Sequence, residues 1–252
     1  MTCGLLSDQN TYCVGLSFPN ALCVHAMLTE FLVRNALGFR DFFVEKLARV
    51  NLFTGRNNVG KTTLLRAIQR EYAPEAIWPQ ASPHEDGCRF KKVVEFGHYG
   101  EVLDALRSIE PRIRCLGVQF GIEGYVMCAD LGLCGLVPIA GGMSRLTSIM
   151  LAILTNPGCI VLIDEFESGF HYSVLRDVWM AVVNAAKRSD TQLFMTTHSW
   201  ECVKAAHEVF REMGDRDALC VCRLERRGEK IVPIMYDEQA IDSAFEYGLE
   251  MR

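Results

Sequence analysis

The segment from Gly55 to Thr63 constrains the fold of this chain more than any other part of the sequence. It has the pattern G-x-x-x-x-G-K-T, which is typical of a loop that wraps around phosphate groups. An apolar run with strand character, Val50 to Thr54, precedes it, and the spacing of an amphipathic helix follows from Leu64 to Arg70. Strand, loop and helix in this order predict an α/β fold with a P-loop. The predicted loop residues are Gly55, Arg56, Asn57, Asn58, Val59, Gly60, Lys61, Thr62 and Thr63.

The residue types of this loop explain how it would hold a nucleotide. Glycines let successive backbone N–H groups point at phosphate oxygens, and the helix N-terminus adds partial positive charge. Lys61 can reach the β- and γ-phosphates, and the Thr62 hydroxyl can ligate Mg²⁺. A nucleoside triphosphate with Mg²⁺ is therefore the predicted ligand.

Polar residues follow two further apolar runs. Asp164 and Glu165 come after Cys159 to Ile163, and His198 comes after Gln192 to Thr197. Ligands of open α/β sheets bind at the carboxyl ends of strands. We expect Asp164 to hold the Mg²⁺ through water, and Glu165 to orient or deprotonate the attacking water. His198 is a candidate for a hydrogen bond to the γ-phosphate, so the predicted catalytic residues are Lys61, Glu165 and His198.

A second glycine-containing segment precedes a helical pattern that continues to Leu154. This signature segment consists of Ala140, Gly141, Gly142, Met143 and Ser144. A helix N-terminus preceded by glycines can bind an anion, but it can also be an ordinary loop that caps a core helix. The segment alone leaves both interpretations open.

Composition excludes several classes of protein. The net charge of −5 gives no global basic field for nucleic acid or anionic membranes, and no apolar run is long enough to cross a bilayer. The eleven cysteines contain no C-x-x-C pair, which predicts reduced, buried thiols in a cytoplasmic protein rather than zinc or disulfides. Two short basic clusters, Arg89 to Lys92 and Arg223 to Arg227, are the weak evidence for DNA binding.

The 252 residues divide into an extension and one domain. Residues 1–26 are either a disordered or upstream extension or supply a strand at Tyr12 to Leu16. Residues 27–252 form the domain, with a reduced insertion of helix and strand at 72–138.

The remaining elements are predicted from periodicity and from proline and glycine positions. Three prolines predict a loop from Ala73 to Cys88. Phe39, Phe42 and Phe43 are expected in the core rather than against an adenine, and Arg40 is a weaker candidate for a nucleotide contact. The other predicted strands are 28–33, 42–46, 90–96, 112–120, 124–129, 219–224 and 230–236, and the other helices are 99–109, 171–187, 200–211 and one capped by Asp237.

Together the motifs resemble an ABC-type ATPase head of the RecF/SMC/OLD branch. The match is closest to AAA-family ATPases related to OLD (overcoming lysogenization defect) proteins, without their TOPRIM domain and without a coiled coil. The motifs are a Phe-rich segment at Gly38 to Phe42, the loop ending G-K-T, a signature at Ala140 to Leu146, I-D-E-x-E-x-G-x-H at Ile163 to His171, and T-T-H-S at Thr196 to Ser199.

The resemblance implies a fold and a mechanism. The fold has a central, mostly parallel sheet flanked by helices, an N-terminal antiparallel β subdomain and a reduced helical subdomain. ATP binds one subunit, and Gly141, Gly142 and Ser144 of a second subunit approach its γ-phosphate. A D-loop formed by Glu167, Ser168 and Gly169 lies at the dimer seam, and hydrolysis releases the dimer.

Two departures from the family pattern keep an alternative open. Ala140 replaces the usual serine, and the Q-loop glutamine has only Gln80 and Gln119 as candidates. The main prediction is an ATP-hydrolysing switch that forms a homodimer on ATP and is linked to DNA maintenance or anti-phage defence. The alternative is a weakly hydrolysing regulatory subunit of a separate nuclease or effector. A GTPase or kinase is disfavoured because no N-K-x-D motif is present.

Overall fold

The computed structural model describes residues 27–34, 39–79, 83–121, 124–132 and 135–246. The predictions for residues 1–26, for Gly38 and for Gln80 lie outside these residues. The described strands are β1 (Phe31–Val33), β2 (Phe42–Val44), β3 (Val50–Thr54), β4 (Cys115–Gly121), β5 (Gly124–Asp130), β6 (Leu136–Pro138), β7 (Ile160–Ile163), β8 (Gln192–Thr196), β9 (Leu219–Arg227) and β10 (Lys230–Tyr236). The helices are α1 (Lys61–Tyr72), α2 (Pro83–Glu95), α3 (Tyr99–Ile109), α4 (Gly141–Leu154), α5 (Leu175–Arg188), α6 (Trp200–Glu212) and α7 (Glu238–Glu246).

The central sheet has five strands in the order β10, β9, β3, β8 and β7. The neighbours from β9 to β7 are parallel, and only β10 runs antiparallel to its neighbour β9. Every residue of β3, β7 and β8 is buried, as expected for strands covered on both faces. The predicted mostly parallel sheet is confirmed. Its topology brings the carboxyl ends of β3, β7 and β8 to one edge.

Alternating side chains of β7 enter two separate hydrophobic clusters. Val161 and Ile163 pack with residues of α4, α5 and α6, whereas Ile160 and Leu162 pack with residues of α1 and the β1–β2 hairpin. Helices therefore cover both faces of the sheet. No helix in the described ranges is long and apolar enough to cross a membrane.

Two antiparallel sheets lie outside the central one. β1 pairs with β2, and β4, β5 and β6 form a three-stranded sheet. Phe39 and Phe42 are fully buried with ring centroids 5.0 Å apart, which confirms the expected core position, but Phe43 is 44% exposed. Arg40 forms an ion pair with Glu229 at 3.7 Å.

Two predictions are wrong for the residues of α2. The end of the predicted loop from Ala73 to Cys88 and nearly all of the predicted strand from Phe90 to Phe96 are helical. Pro83 is the first residue of this helix, where the missing N–H breaks no hydrogen bond. Phe90 and Val93, one helical turn apart, are buried, while Phe96 is 57% exposed. Helical packing against the neighbouring elements therefore prevails over the local preference for strand.

The predicted burial of the cysteines is confirmed for most of those that the structure describes. Seven cysteines are free there, and five of them are buried. Burial raises the pKa of Cys202 and of Cys220 to about 12, so both thiols remain protonated at neutral pH.

Candidate nucleotide-binding site

The P-loop connects the end of β3 to the start of α1 and has the backbone shape its glycines predict. Gly55 and Gly60 have φ values of 144° and 111°, and Asn58 has a φ of 62°. A Cβ atom at Gly55 would stand 2.8 Å from the carbonyl oxygen of Leu224 on β9. The first glycine is therefore required both for its conformation and for the close approach of β9.

The Lys61 ammonium group lies across the P-loop. Its Nζ donates to the carbonyl oxygens of Gly55 at 2.8 Å and Arg56 at 3.1 Å, and the residue is only 8% exposed. Burial lowers the pKa of Lys61, whereas the nearby carboxylates of Glu167, Glu165 and Asp164 act in the opposite direction. A phosphate group in the loop would meet this charge directly.

The carboxylate of Asp164 joins three elements at the edge of the central sheet. The hydroxyl of Thr62 on α1 donates to Oδ2 at 2.6 Å, and the hydroxyl of Thr196 on β8 donates to Oδ1 at 2.5 Å. Hydroxyl and carboxylate oxygens are ligands that Mg²⁺ prefers, and Thr62 and Asp164 stand close enough to share one ion. The predicted metal residues therefore fit the group that the P-loop implies.

Glu165 has an unusual backbone conformation. Its φ is 48°, in the left-handed region that few residues other than glycine adopt, and its side chain is exposed. Its backbone N–H donates to Thr196 Oγ1 at 2.8 Å. The exposed carboxylate directly follows Asp164 in the chain, where water has access to it.

Glu167 and His198 form a pair within the chain. Glu167 Oε1 accepts the backbone N–H of His198 at 2.8 Å and lies 2.9 Å from its Nδ1. Glu167 is 9% exposed, and its Oε2 has no hydrogen-bond partner among the described residues. The imidazole of His198 is half exposed at the carboxyl end of β8, and Glu167 restrains its orientation there.

The signature segment forms the start of α4. Ala140 is the N-cap residue, and its side chain makes no capping hydrogen bond. A Cβ atom at Gly142 would stand 2.6 Å from the carbonyl oxygen of Gly169, whereas one at Gly141 would meet nothing within 4 Å. The signature therefore packs on the loop of Ser168 and Gly169 through its second glycine. Met143 and Ser144, in the first turn of α4, are partly buried.

Sequence reasoning gave no role to Arg145, one turn further along α4. Its Nη2 donates to the carbonyl oxygen of Asp164 at 2.6 Å. Burial lowers the pKa of this guanidinium, and the carboxylates of Asp164, Glu165 and Glu167 oppose the effect. It lines a cavity of about 450 Å³ at this edge, together with Thr62, Arg66, Gln69, Trp78, Pro79, Leu162 and Asp164. The helical periodicity of α4 places Arg145 on the same face as Gly142. The sequence does not predict its hydrogen-bond acceptor, because that contact depends on how α4 packs against β7.

The basic cluster of β9 lies beside the P-loop. A second cavity of about 490 Å³ is lined by residues 56–59 and 223–226. Arg223 and Arg227 both pair with Glu225, at 2.8 Å and 2.9 Å. The cluster is therefore partly neutralised, as expected of a solvated face. Gln119, a candidate Q-loop residue, lies in β4 of the three-stranded sheet.

Comparison with known proteins finds one matching family and a curated relative. Residues 141–202, from the signature through β8 to the start of α6, match the family described as "AAA domain, putative AbiEii toxin, Type IV TA system". A curated relative, "ATP/GTP phosphatase" from Helicobacter pylori (strain ATCC 700392 / 26695), is 27% identical over 108 residues. That match covers 42% of this chain and 29% of the length of the relative.

Solved structures resemble the chain over most of its length. An SMC head bound to the C-winged helix domain of ScpA has a TM-score of 0.57 at 9% identity, over 85% of this chain and 99% of that one. The SMC head domain from Thermotoga maritima has a TM-score of 0.52 at 12% identity, over 84% and 100%. The structure of RNase-L Inhibitor has a TM-score of 0.51 at 13% identity, over 88% and 42%. The chain thus has the α/β fold of the SMC head P-loop ATPases, with a mixed sheet flanked by helices.

Proposed function

We propose that this chain is a Mg²⁺-dependent ATPase that acts as a molecular switch, with two copies associating head to head when ATP binds. The observation that carries the proposal is the link from Thr62 through Asp164 to Thr196, with Lys61 and Glu165 on either side of it. A P-loop lysine, a threonine–aspartate metal pair and an exposed carboxylate are the groups that hydrolysis of a γ-phosphate requires.

Each residue has a role that follows from its position. Lys61 balances charge on the β- and γ-phosphates, and Glu165 orients the attacking water and accepts its proton. His198, held by Glu167, donates to a γ-phosphate oxygen. Thr62 and Asp164 would hold the Mg²⁺, which when bound neutralises charge on the phosphate oxygens.

The dimer proposal is supported by the surface around the signature. The position of Gly141 is open to solvent, so a phosphate of another copy can approach the first turn of α4. Tyr172, three residues after Gly169, is 68% exposed beside the proposed D-loop. A partner surface here would place the signature residues, Ala140 to Ser144, and the D-loop residues, Glu167 to Gly169, at one seam.

Function beyond hydrolysis rests on the order of the motifs. We propose that the chain belongs to the OLD-like branch, works in the cytoplasm and serves DNA maintenance or anti-phage defence. The relative named ATP/GTP phosphatase supports hydrolysis of a nucleoside triphosphate. DNA is the less supported partner, because the basic cluster of β9 is partly neutralised by Glu225.

The decisive experiment combines steady-state ATPase assays with mass determination in solution. Wild-type protein should release phosphate from ATP, and Glu165→Gln should lose turnover by about 100-fold or more while retaining ATP. With ATP and Mg²⁺, Glu165→Gln should elute as a dimer. The exposed Glu45→Gln serves as the control, with wild-type turnover. If Glu165→Gln stays monomeric at saturating ATP, the dimer proposal is wrong.

A second candidate function is a regulatory subunit that binds ATP but hydrolyses it slowly and controls a separate nuclease or effector. The observation that favours it is Ala140, which supplies no hydroxyl at the start of α4. Rapid turnover by the isolated wild-type protein would exclude this candidate. Slow turnover that rises in Ala140→Ser would support it.

A further inference from the structure

The peptide unit between Asp164 and Glu165 is held from both of its polar ends. Its carbonyl oxygen, that of Asp164, accepts from Arg145 Nη2 at 2.6 Å. Its N–H, that of Glu165, donates to Thr196 Oγ1 at 2.8 Å. One partner comes from α4 and the other from β8, so this peptide plane cannot rotate unless both hydrogen bonds break.

This peptide decides where the Glu165 carboxylate points. Glu165 has a φ of 48°, a conformation that persists in a non-glycine residue only where the surroundings enforce it. Rotation of the preceding peptide changes the direction in which the side chain leaves its Cα atom. The two hydrogen bonds therefore act on the orientation of the proposed catalytic base.

Arg145 differs from the other cation that lines the same cavity. Arg66, on α1, is exposed, whereas Arg145 is largely buried and lies within the electrostatic influence of Asp164, Glu165 and Glu167. Its Nε is buried and has no hydrogen-bond partner within the described part of the chain. Burial of a guanidinium costs free energy, so its hydrogen bond to the Asp164 carbonyl carries particular weight.

Arg145 also connects this peptide to the signature. It lies three residues after Gly142, whose Cα packs against the Gly169 carbonyl at the end of the same acidic turn. A displacement of the first turn of α4 would therefore pull on the Asp164 carbonyl through the Arg145 side chain.

We infer that Arg145 is a positioning residue that holds the Asp164–Glu165 peptide in place, fixes the direction of the Glu165 side chain beside Asp164 and couples that direction to the position of α4. The effect on turnover rests on the proposed ATPase function. The effect on the peptide itself does not, and it is measurable without nucleotide.

The kinetic test compares Arg145→Met and Arg145→Lys with Arg211→Met, at an exposed arginine of α6 away from the cavity, as the matched control. Arg145→Met should lower kcat by about 10- to 100-fold, because a misdirected base costs the chemical step, while KM and ATP affinity change less than about twofold. Arg145→Lys keeps one donor and should recover part of the loss. Millimolar guanidinium chloride, far below denaturing concentrations, should partly restore Arg145→Ala but not Glu165→Gln. Equal kcat in wild type and Arg145→Met would overturn the inference.

The structural test measures amide hydrogen exchange of residues 164–167 in the nucleotide-free protein. The Glu165 amide should exchange at least about tenfold faster in Arg145→Met than in wild type or Arg211→Met, because loss of the carbonyl contact frees the peptide. Unchanged exchange would overturn the inference even if turnover falls. Circular dichroism and urea unfolding verify that each variant is folded. If wild-type protein does not hydrolyse ATP, the proposed function fails and the exchange result alone decides the role of Arg145.

Discussion

Two charged clusters lie on successive turns of α4, and they differ in what surrounds them. The first, called the nucleotide-edge cluster, consists of Arg145 and the carboxylates of Asp164, Glu165 and Glu167. The second, called the sealed cluster, lies three residues further along α4 and consists of Ser148, Asp86 and Arg89. The Ser148 hydroxyl donates a hydrogen bond to the Asp86 carboxylate.

Both clusters combine carboxylate and guanidinium groups, but only one meets the carboxyl ends of the parallel strands. The nucleotide-edge cluster borders an open cavity, whereas Asp86 and Arg89 are 4% and 9% exposed between α2 and α4. Asp86 Oδ1 and Arg89 Nη1 lie 3.7 Å apart, and neither has a hydrogen-bond partner among the described residues. The difference teaches that access to the strand ends, not residue type, separates the cluster that we propose acts on a nucleotide from one that joins two helices.

The largest expected effect is at the nucleotide edge. Lys61→Met should weaken ATP binding by more than about 100-fold, on the order of 3 kcal/mol, because it removes a buried charge from the proposed phosphate-binding loop. Titration with a fluorescent ATP analogue measures this loss. Lys204→Met, which removes a lysine with a half-exposed side chain on α6, is the control. Wild-type affinity in Lys61→Met would show that the P-loop does not bind the nucleotide.

The sealed cluster should respond in stability rather than in binding. Asp86→Ala should lower the free energy of unfolding by about 1–3 kcal/mol, because Arg89 keeps Glu85, at 3.5 Å, but loses the buried carboxylate of Asp86. Urea unfolding measures the change. ATP affinity should stay within about twofold of wild type, because the sealed cluster does not border the nucleotide edge. The exposed Asp104→Ala is the control. A selective loss of ATP binding in Asp86→Ala would contradict the comparison.

The same carboxyl should make stability depend on pH. Burial raises the pKa of Asp86 to about 6 from its ordinary 3.8, against the smaller opposing effects of Ser148 and Arg89. The folded state thus favours the protonated form, and this contribution is full below pH 3.8 and is lost as the pH rises through about 6. The stability of wild type relative to Asp86→Asn should therefore fall by on the order of 2 kcal/mol between pH 4 and pH 7. A constant difference across this range would exclude a titrating Asp86.

The smallest expected effects separate the two signature glycines. Gly142→Ala should destabilise the fold by about 1–2 kcal/mol, because its Cβ would meet the Gly169 carbonyl at 2.6 Å. Gly141→Ala should cost about 1 kcal/mol or less, since only its φ of 57° opposes a side chain and the space around it is open. Thermal unfolding of both variants measures the difference. A larger loss of stability in Gly141→Ala than in Gly142→Ala would contradict the tight contact between Gly142 and the Gly169 carbonyl.

Much of the fold could be predicted because its signals are local. The P-loop, the buried strands β7 and β8 and the closing β9–β10 hairpin follow from short motifs and uninterrupted apolar runs. The helix α2 could not, because three prolines precede or open it and its apolar residues also suit a strand. Its packing against other parts of the chain selects the helix, and such contacts leave no local pattern.

The candidate site divides in the same way. Lys61, Thr62, Asp164, Glu165 and His198 were predicted because each has a fixed place in a motif, and the structure brings them to one edge of the sheet. The partners that orient them were missed. Thr196, Glu167 and Arg145 act through contacts between residues 19 to 32 positions apart in the chain, which the spacing of a motif does not encode.

The sequence by itself determined that the chain has a P-loop between a strand and a helix and two polar strand ends downstream of it, because loop geometry and strand burial impose particular residue types. Only the tertiary structure decided that Arg145 and Thr196 hold the Asp164–Glu165 peptide and that Asp86 is sealed against α4. These contacts depend on how the helices and strands pack in three dimensions. Packing places α4 between β7 and α2, so one of its turns meets the nucleotide edge and the next is closed to solvent.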